Sequence, residues 1–197
     1  MVLGWLCMAG DARAMSCVEG KLLVASPQLQ DPNFFRSVIF MVRHDEEGAY
    51  GLVLNRPTNQ CVGTVMEMLL ECPCHRRGHI MFGGPVEGPL VVLHDSPSSA
   101  DIECGHDLYL ASCQDRVRDL MMDDKARVLI FDGYSGWGPG QLEEEMKVGG
   151  WLVADTDVAE LFGDCDEIWE RALRRIGRGI IACATGHIPM PPDPNLN

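Results

Sequence analysis

Ser37-Val38-Ile39-Phe40-Met41-Val42-Arg43, followed after a short acidic break by Tyr50-Gly51-Leu52-Val53-Leu54, decides the fold class. The arms are rich in β-branched and aromatic residues, the composition that packs on a pleated surface. Asp45-Glu46-Glu47-Gly48 between them reads as a hairpin loop in which Gly48 supplies a positive φ. Asn55-Arg56-Pro57 closes the second arm, because Pro57 biases Arg56 toward extended geometry and removes a ladder donor. The sheet therefore starts antiparallel.

Working outward, Leu22-Leu23-Val24-Ala25 is an apolar run stopped by Ser26-Pro27 and is expected to be a strand. Downstream the period changes. Val62, Val65, Met66, Leu69 and Leu70 recur at helical spacing, which predicts an amphipathic helix over 62–71. His79–Phe82 and Leu90–Leu93 read as strands flanking the turn Gly83-Gly84-Pro85, and Leu108–Ala111 as a further short strand. Ser112 with Asp115 has the form of a capping box for a helix reaching about Met122. Arg127–Phe131 is a buried strand. Pro139 suits the first position of a helix over Gln141–Lys147 that stops at Gly149-Gly150. Trp151–Val153 is a strand and Asp157–Phe162 a short helix. A last helix, capped by Asp164, is expected to end at Gly177.

Strands come in runs, with helices interrupting irregularly, unlike the strict alternation of a doubly wound sheet. This pattern predicts a single α+β domain with a bent, mostly antiparallel sheet and flanking helices. Its expected limits are residues 19–185, after a poorly ordered extension over 1–18 and before a Pro/Asn-rich tail over 186–197.

The 197 residues include 46% hydrophobic and 23% charged ones, which excludes whole-chain disorder, and no apolar run approaches the roughly 20 residues of a membrane span. Sixteen basic against 29 acidic residues give a net charge of −13, so direct contact with nucleic acid is not expected. The densest basic group, Arg171, Arg174, Arg175 and Arg178, reads as a solvated helix face. Nine cysteines without a regular frame, and no basic segment ahead of Val2–Ala9 to make a secretory signal, lead to the expectation of a cytoplasmic protein with reduced thiols.

Three constellations could carry chemistry. Gly133-Tyr134-Ser135-Gly136-Trp137-Gly138-Pro139-Gly140-Gln141 places four glycines between a strand and a helix. It lacks the Lys-Ser/Thr end of a phosphate-binding P-loop and the G-x-G-x-x-G spacing of a dinucleotide site, so no cofactor is expected. It starts like the nucleophile elbow G-x-S-x-G, but Trp137 takes the closing glycine position and favours a structural turn. Cys72-Pro73-Cys74-His75 with His79 holds zinc-ligand residue types, but the spacing fits no standard site and no metal is expected. Finally, Arg36, His44, Asn55, Arg56 and His94 end strands beside glycine-proline turns. If those ends converge, their cleft would favour a carboxylate or another small anion.

Taken together, these motifs resemble the AlgH/YqgE family of bacterial proteins. The similarity is carried by Leu22–Pro27, Asp31–Val38, His44–Pro57, Gly83-Gly84-Pro85-Val86, Val92-Leu93-His94, Gly136–Glu143, Gly150-Trp151-Leu152 and Ile168-Trp169, over about residues 20–177. The resemblance implies a half-barrel-like antiparallel sheet and an unestablished biochemical activity. The family label of transcriptional regulator is not matched here by any helix-turn-helix pattern. Ser135 departs from the small non-nucleophilic residue usual in the family, and the Cys72–His79 cluster lies outside its shared motifs.

The expectation is thus a non-enzymatic module that binds an unknown small molecule or protein. Its face would be built from the Asn55–Pro57, Gly83–Pro85 and Gly136–Gln141 loops. Arg36 and Arg56 would supply charge, Asn55 and His94 hydrogen bonds, and Trp137 an apolar wall, with His44, Gly83, Gly84, Gly138 and Gln141 completing it. The alternatives are a hydrolase or transferase acting on a small anionic substrate and a DNA-associated regulator.

Overall fold

The computed structural model describes residues 17–185. The strands β1 (Leu22–Ala25), β2 (Val38–Asp45), β3 (Gly48–Val53) and β4 (Pro57–Cys61) lead into helix α1 (Val62–Leu70). Next come β5 (His79–Phe82), β6 (Val91–His94), β7 (Ile102–Glu103), β8 (Tyr109–Ala111) and helix α2 (Gln114–Met122). The chain closes with β9 (Val128–Asp132), β10 (Ser135–Trp137), α3 (Gln141–Lys147), β11 (Trp151–Ala154), α4 (Val158–Leu161) and α5 (Ile168–Thr185).

The hairpin is formed as read, with Asp45 opposite Gly48 (φ 133°) and a bulge between Met41 and Arg43. It lies within a five-stranded antiparallel sheet of order β10-β3-β2-β1-β11. A second sheet, β4-β5-β9-β6-β8-β7, contains one parallel pair, β5 with β9. The fold is α+β and mostly antiparallel, as the sequence pattern implies. The bend is the place where one sheet becomes two.

Hydrogen bonding runs through that bend. Gly83 accepts from the Val53 amide (2.9 Å) and donates to Asp132 (2.8 Å), while Phe82 donates to the Arg56 carbonyl (2.7 Å). Val86 and Tyr134 exchange both of their backbone bonds (2.9 and 3.0 Å). A methyl group cannot fit here. A Cβ on Gly83 would lie 2.2 Å from the Gly133 carbonyl oxygen, and one on Gly84 2.3 Å from the Tyr134 carbonyl carbon.

Strand alternation divides the buried residues into three layers. Leu22, Val24, Val38, Phe40, Leu52 and Leu54 meet Met81, Leu93, Leu110 and Phe131 in the core between the sheets, closed by Ile168, Trp169 and Ala172 of α5. On the outer face of the second sheet, Ile80, Val92, Ala111 and Ile130 pack under α1 and α2. On the outer face of the first, Leu23, Ile39, Met41 and Val53 pack with Trp137, Leu142 and Trp151. Each fully buried Leu, Ile or Phe contributes about 1.5–3 kcal/mol.

The strands on either side of Gly83-Gly84-Pro85 form, and β9 lies between them in the sheet. Several other expectations are corrected. Ser112 does not cap α2; the Asp101 carboxylate instead accepts from the Ser112 and Cys113 amides (2.7 and 3.0 Å). Asp164 serves a turn ahead of α5, accepting from Asp166 (2.9 Å), whereas Asp157 caps α4. Helix α5 runs through Gly177 to Thr185, since a helical glycine costs only about 1 kcal/mol against alanine. The expectations for residues 1–16 and for the tail from 186 lie outside the described residues. Val18 is buried. No described helix is long and apolar enough to cross a membrane.

Candidate functional site

The ten residues expected to share one face occupy four places. Arg36, Asn55 and Arg56 form a latch on the loop after β1. The Asn55 side-chain carbonyl accepts from the Val38 amide (3.1 Å) and its NH2 donates to the Arg36 carbonyl (2.8 Å). Arg56 donates to the carbonyls of Phe35 and Asn55. Arg36 itself sits at φ 54°, its guanidinium 4.8 Å from the Trp169 ring centroid and 4.0 Å from the Glu170 carboxylate. Asn55 and Arg56 thus satisfy backbone groups that would otherwise be orphaned.

Gly83 and Gly84 belong to the corner described above, and Ser135 with them. Far from standing on an exposed elbow, Ser135 is fully buried within β10 and its hydroxyl donates to the Gly83 carbonyl (3.2 Å). A Cβ on Gly84 would come within 2.4 Å of that hydroxyl oxygen. The expected strand-turn-helix geometry is replaced by a strand that joins β3.

His44, Trp137, Gly138 and Gln141 lie together, under α3. The Val18 amide donates to His44 Nδ1 (3.2 Å), which places the ring proton on Nε2, 2.9 Å from the Glu143 carboxylate. One oxygen of Glu145 accepts from both indoles, Trp137 (3.0 Å) and Trp151 (2.8 Å), and Phe34 packs on the two rings at 6.1 and 5.5 Å. Gln141 bridges the Gly138 amide and Glu145. Neither Glu143 nor Glu145 is among the site residues expected from the sequence. Their spacing of two residues was the available signal that they serve different partners.

His94 is elsewhere. It pairs with Tyr109 and Val128, at the end of β9 away from the corner. The ring is fully buried, its Nδ1 accepts from the Ser96 amide (3.2 Å), and Nε2 has no partner among the described residues. Burial lowers its pKa from the ordinary value of 6.5, against the opposing pull of Asp95. The strand ends therefore do not converge on one cleft. Nor do Cys72, Cys74, His75 and His79 gather: among the described residues the one trio of potential metal ligands within 4.8 Å is Asp164, Cys165 and Asp166.

The sequence reading missed a cleft of about 520 Å³ between the outer ends of the sheets. Val42, Tyr50, Val91, Ile102 and Leu110 supply apolar surface, and Glu19, Arg43, Asp45, Asp101 and Glu103 supply charge. Tyr50 packs on Tyr134 with ring centroids 4.9 Å apart, and burial pushes its hydroxyl up to about 12. Cys104 is buried nearby, its thiol pushed up to about 12 by burial and then by Glu19 and Glu103. Such a thiol stays protonated and inert at neutral pH.

Comparison with known proteins places this architecture. The family model described as AlgH-like matches residues 22–180, from β1 into α5. The chain belongs to the AlgH-like family. A UPF0301 protein of Ruegeria pomeroyi is 39% identical over 182 residues, covering 86% of this chain and 98% of its own. One from Streptomyces coelicolor is 36% identical, with coverage of 93% and 97%. The solution structure of the AlgH protein from Pseudomonas aeruginosa superposes with a TM-score of 0.70 at 33% identity, covering 86% and 94% of the two chains. A Corynebacterium diphtheriae crystal structure at 23% identity (TM-score 0.64; 83% of this chain, 91% of that one) shares the fold. The AlgH-like match spans the latch, the corner and the cleft apart from Glu19, and the family's biochemical activity is unknown.

Proposed function

We propose that this AlgH-like chain is a non-catalytic regulatory module that holds a small molecule in the cleft between its two sheets. The observation that carries the reading is the cleft itself, whose volume lies in the range of about 300–1,000 Å³ typical of small-molecule sites. It combines an apolar wall with a few charged groups at its mouth, the usual make-up of a ligand pocket. The neighbouring chemistry supports binding over turnover. Among the described residues no serine or cysteine side chain is hydrogen-bonded to a histidine ring, and Ser135 donates to a backbone carbonyl. The net charge of −13 weighs against direct contact with a DNA duplex.

The test is native and denaturing mass spectrometry on gently purified protein, wild type beside Tyr50→Ala and Arg56→Ala, with folding followed by circular dichroism. A mass retained natively, lost on denaturation and absent from Tyr50→Ala alone supports the cleft. Loss in Arg56→Ala alone would move the site to the latch. Labelling of Ser135 by a fluorophosphonate would overturn the non-catalytic reading in favour of a hydrolase.

A further inference from the structure

We infer that the cleft selects an organic cation with an apolar body, an amine carried on an aromatic or branched hydrocarbon. The inference rests on the reading above that the cleft is the binding site, and it comes from the pairing state of the charges around it.

Four carboxylates, of Glu19, Asp45, Asp101 and Glu103, face a single guanidinium, that of Arg43. Arg43 is already held by Asp45 and by Glu47 (2.7 Å). Asp101 is held by the Ser112 and Cys113 amides and by Arg116 (2.8 Å). Glu19 and Glu103 remain, neither with an ion-pair partner among the described residues, and Glu19 makes only a long bond to the His44 amide (3.4 Å). Both line the cleft. An anionic ligand would meet these two exposed, unpaired charges at the cleft and be repelled, whereas a cation is attracted there, each effect weakened by solvent and salt. The charge of the whole chain, −13, acts in the same direction at longer range.

The rest of the lining fixes the kind of cation. The carboxylates are not gathered into an inorganic site, since the trio of clustered ligand atoms among the described residues lies elsewhere, at Asp164–Asp166. The volume of about 520 Å³ also exceeds what a metal ion fills. Val42, Val91, Ile102 and Leu110 call for hydrocarbon, and Tyr50 adds an aromatic ring, a group that attracts cations, to the same lining. No hydrogen bond of the Tyr50 hydroxyl occurs among the described residues, which leaves its oxygen able to accept from an ammonium group.

The experiment titrates the full chain in 1H–15N correlation spectra with three indoles of similar size: tryptamine (cationic), N-acetyltryptamine (neutral) and indole-3-propionate (anionic). The expected result is saturable shifts of the Tyr50, Ile102 and Leu110 amides with tryptamine, and affinity at least tenfold weaker for the other two. The double variant Glu19→Gln/Glu103→Gln, altered only at exposed positions, should keep its spectrum and lose about tenfold in tryptamine affinity. Equal binding of all three in the cleft would overturn the cation preference while leaving the cleft as the site. Cleft shifts that the double variant leaves unchanged would overturn the role of the two glutamates and the inference with it. Absence of cleft shifts from every indole would overturn both the inference and the reading of the cleft as the site.

Discussion

The two sheets meet in two ways. At the corner they approach until a methyl group has no room, and Gly83, Gly84 and Gly133 let backbone pack on backbone. At the cleft they part and leave about 520 Å³ between side chains of both. The corner is bound by carbonyls and amides that every residue carries, so its demand is for small side chains. The cleft exposes particular side chains, so its demand is for chemistry. A glycine motif and a binding surface thus answer opposite requirements, and the prominent Gly83-Gly84-Pro85 motif marks the first.

The comparison would break most visibly at Gly84. Gly84→Ala puts a Cβ 2.3 Å from backbone at φ 152°, and a loss of at least about 4 kcal/mol is expected, read as unfolding or a much lower urea midpoint. Gly140→Ala is the control: its φ of 75° is also positive but nothing lies within 4 Å, so about 1–2 kcal/mol is expected from backbone strain alone. Equal losses in the two variants would show that crowding does not define the corner.

Glu145→Ala comes next, because it strands two indole N–H groups at once. A loss of about 2–3 kcal/mol in denaturant titration is expected, with a change in tryptophan fluorescence. His94 extends the contrast to pH. Its folded pKa lies below the unfolded 6.5, so the unfolded chain takes up the proton first. The stability it contributes is present above about pH 6.5 and is lost as pH falls, by at most about 1.4 kcal/mol per unit, levelling off below the folded pKa. Urea midpoints measured across this window should show that component in wild type and lack it in His94→Gln. Smallest is the cleft rim, where Glu19→Gln/Glu103→Gln should change stability by less than about 0.5 kcal/mol, by thermal melt, while changing binding.

The legible parts of the fold were those with a strong local signal. β-Branched and aromatic composition exposed β2 and β3, and helical spacing exposed α1. β4 escaped because Pro57-Thr58-Asn59-Gln60-Cys61 is polar and lies at a sheet edge, and β10 because three residues, one a glycine, carry no period. The site was harder to read. Asn55 and Arg56 resemble ligand groups locally, and nothing near them in the chain reveals that their partners are the carbonyls of Arg36 and Phe35. The cleft draws on β2, β3, β6, β7 and β8, which become neighbours only through the long-range pairing of two sheets.

The insertion of β9 between β5 and β6 bears on how the chain is made. During synthesis β5 and β6 leave the ribosome well before the strand that must part them, and Leu22 waits for Ala154 before β1 gains its second neighbour. Neither sheet can be completed until β9, β10 and β11 have emerged, so the nascent chain carries open strand edges through most of translation.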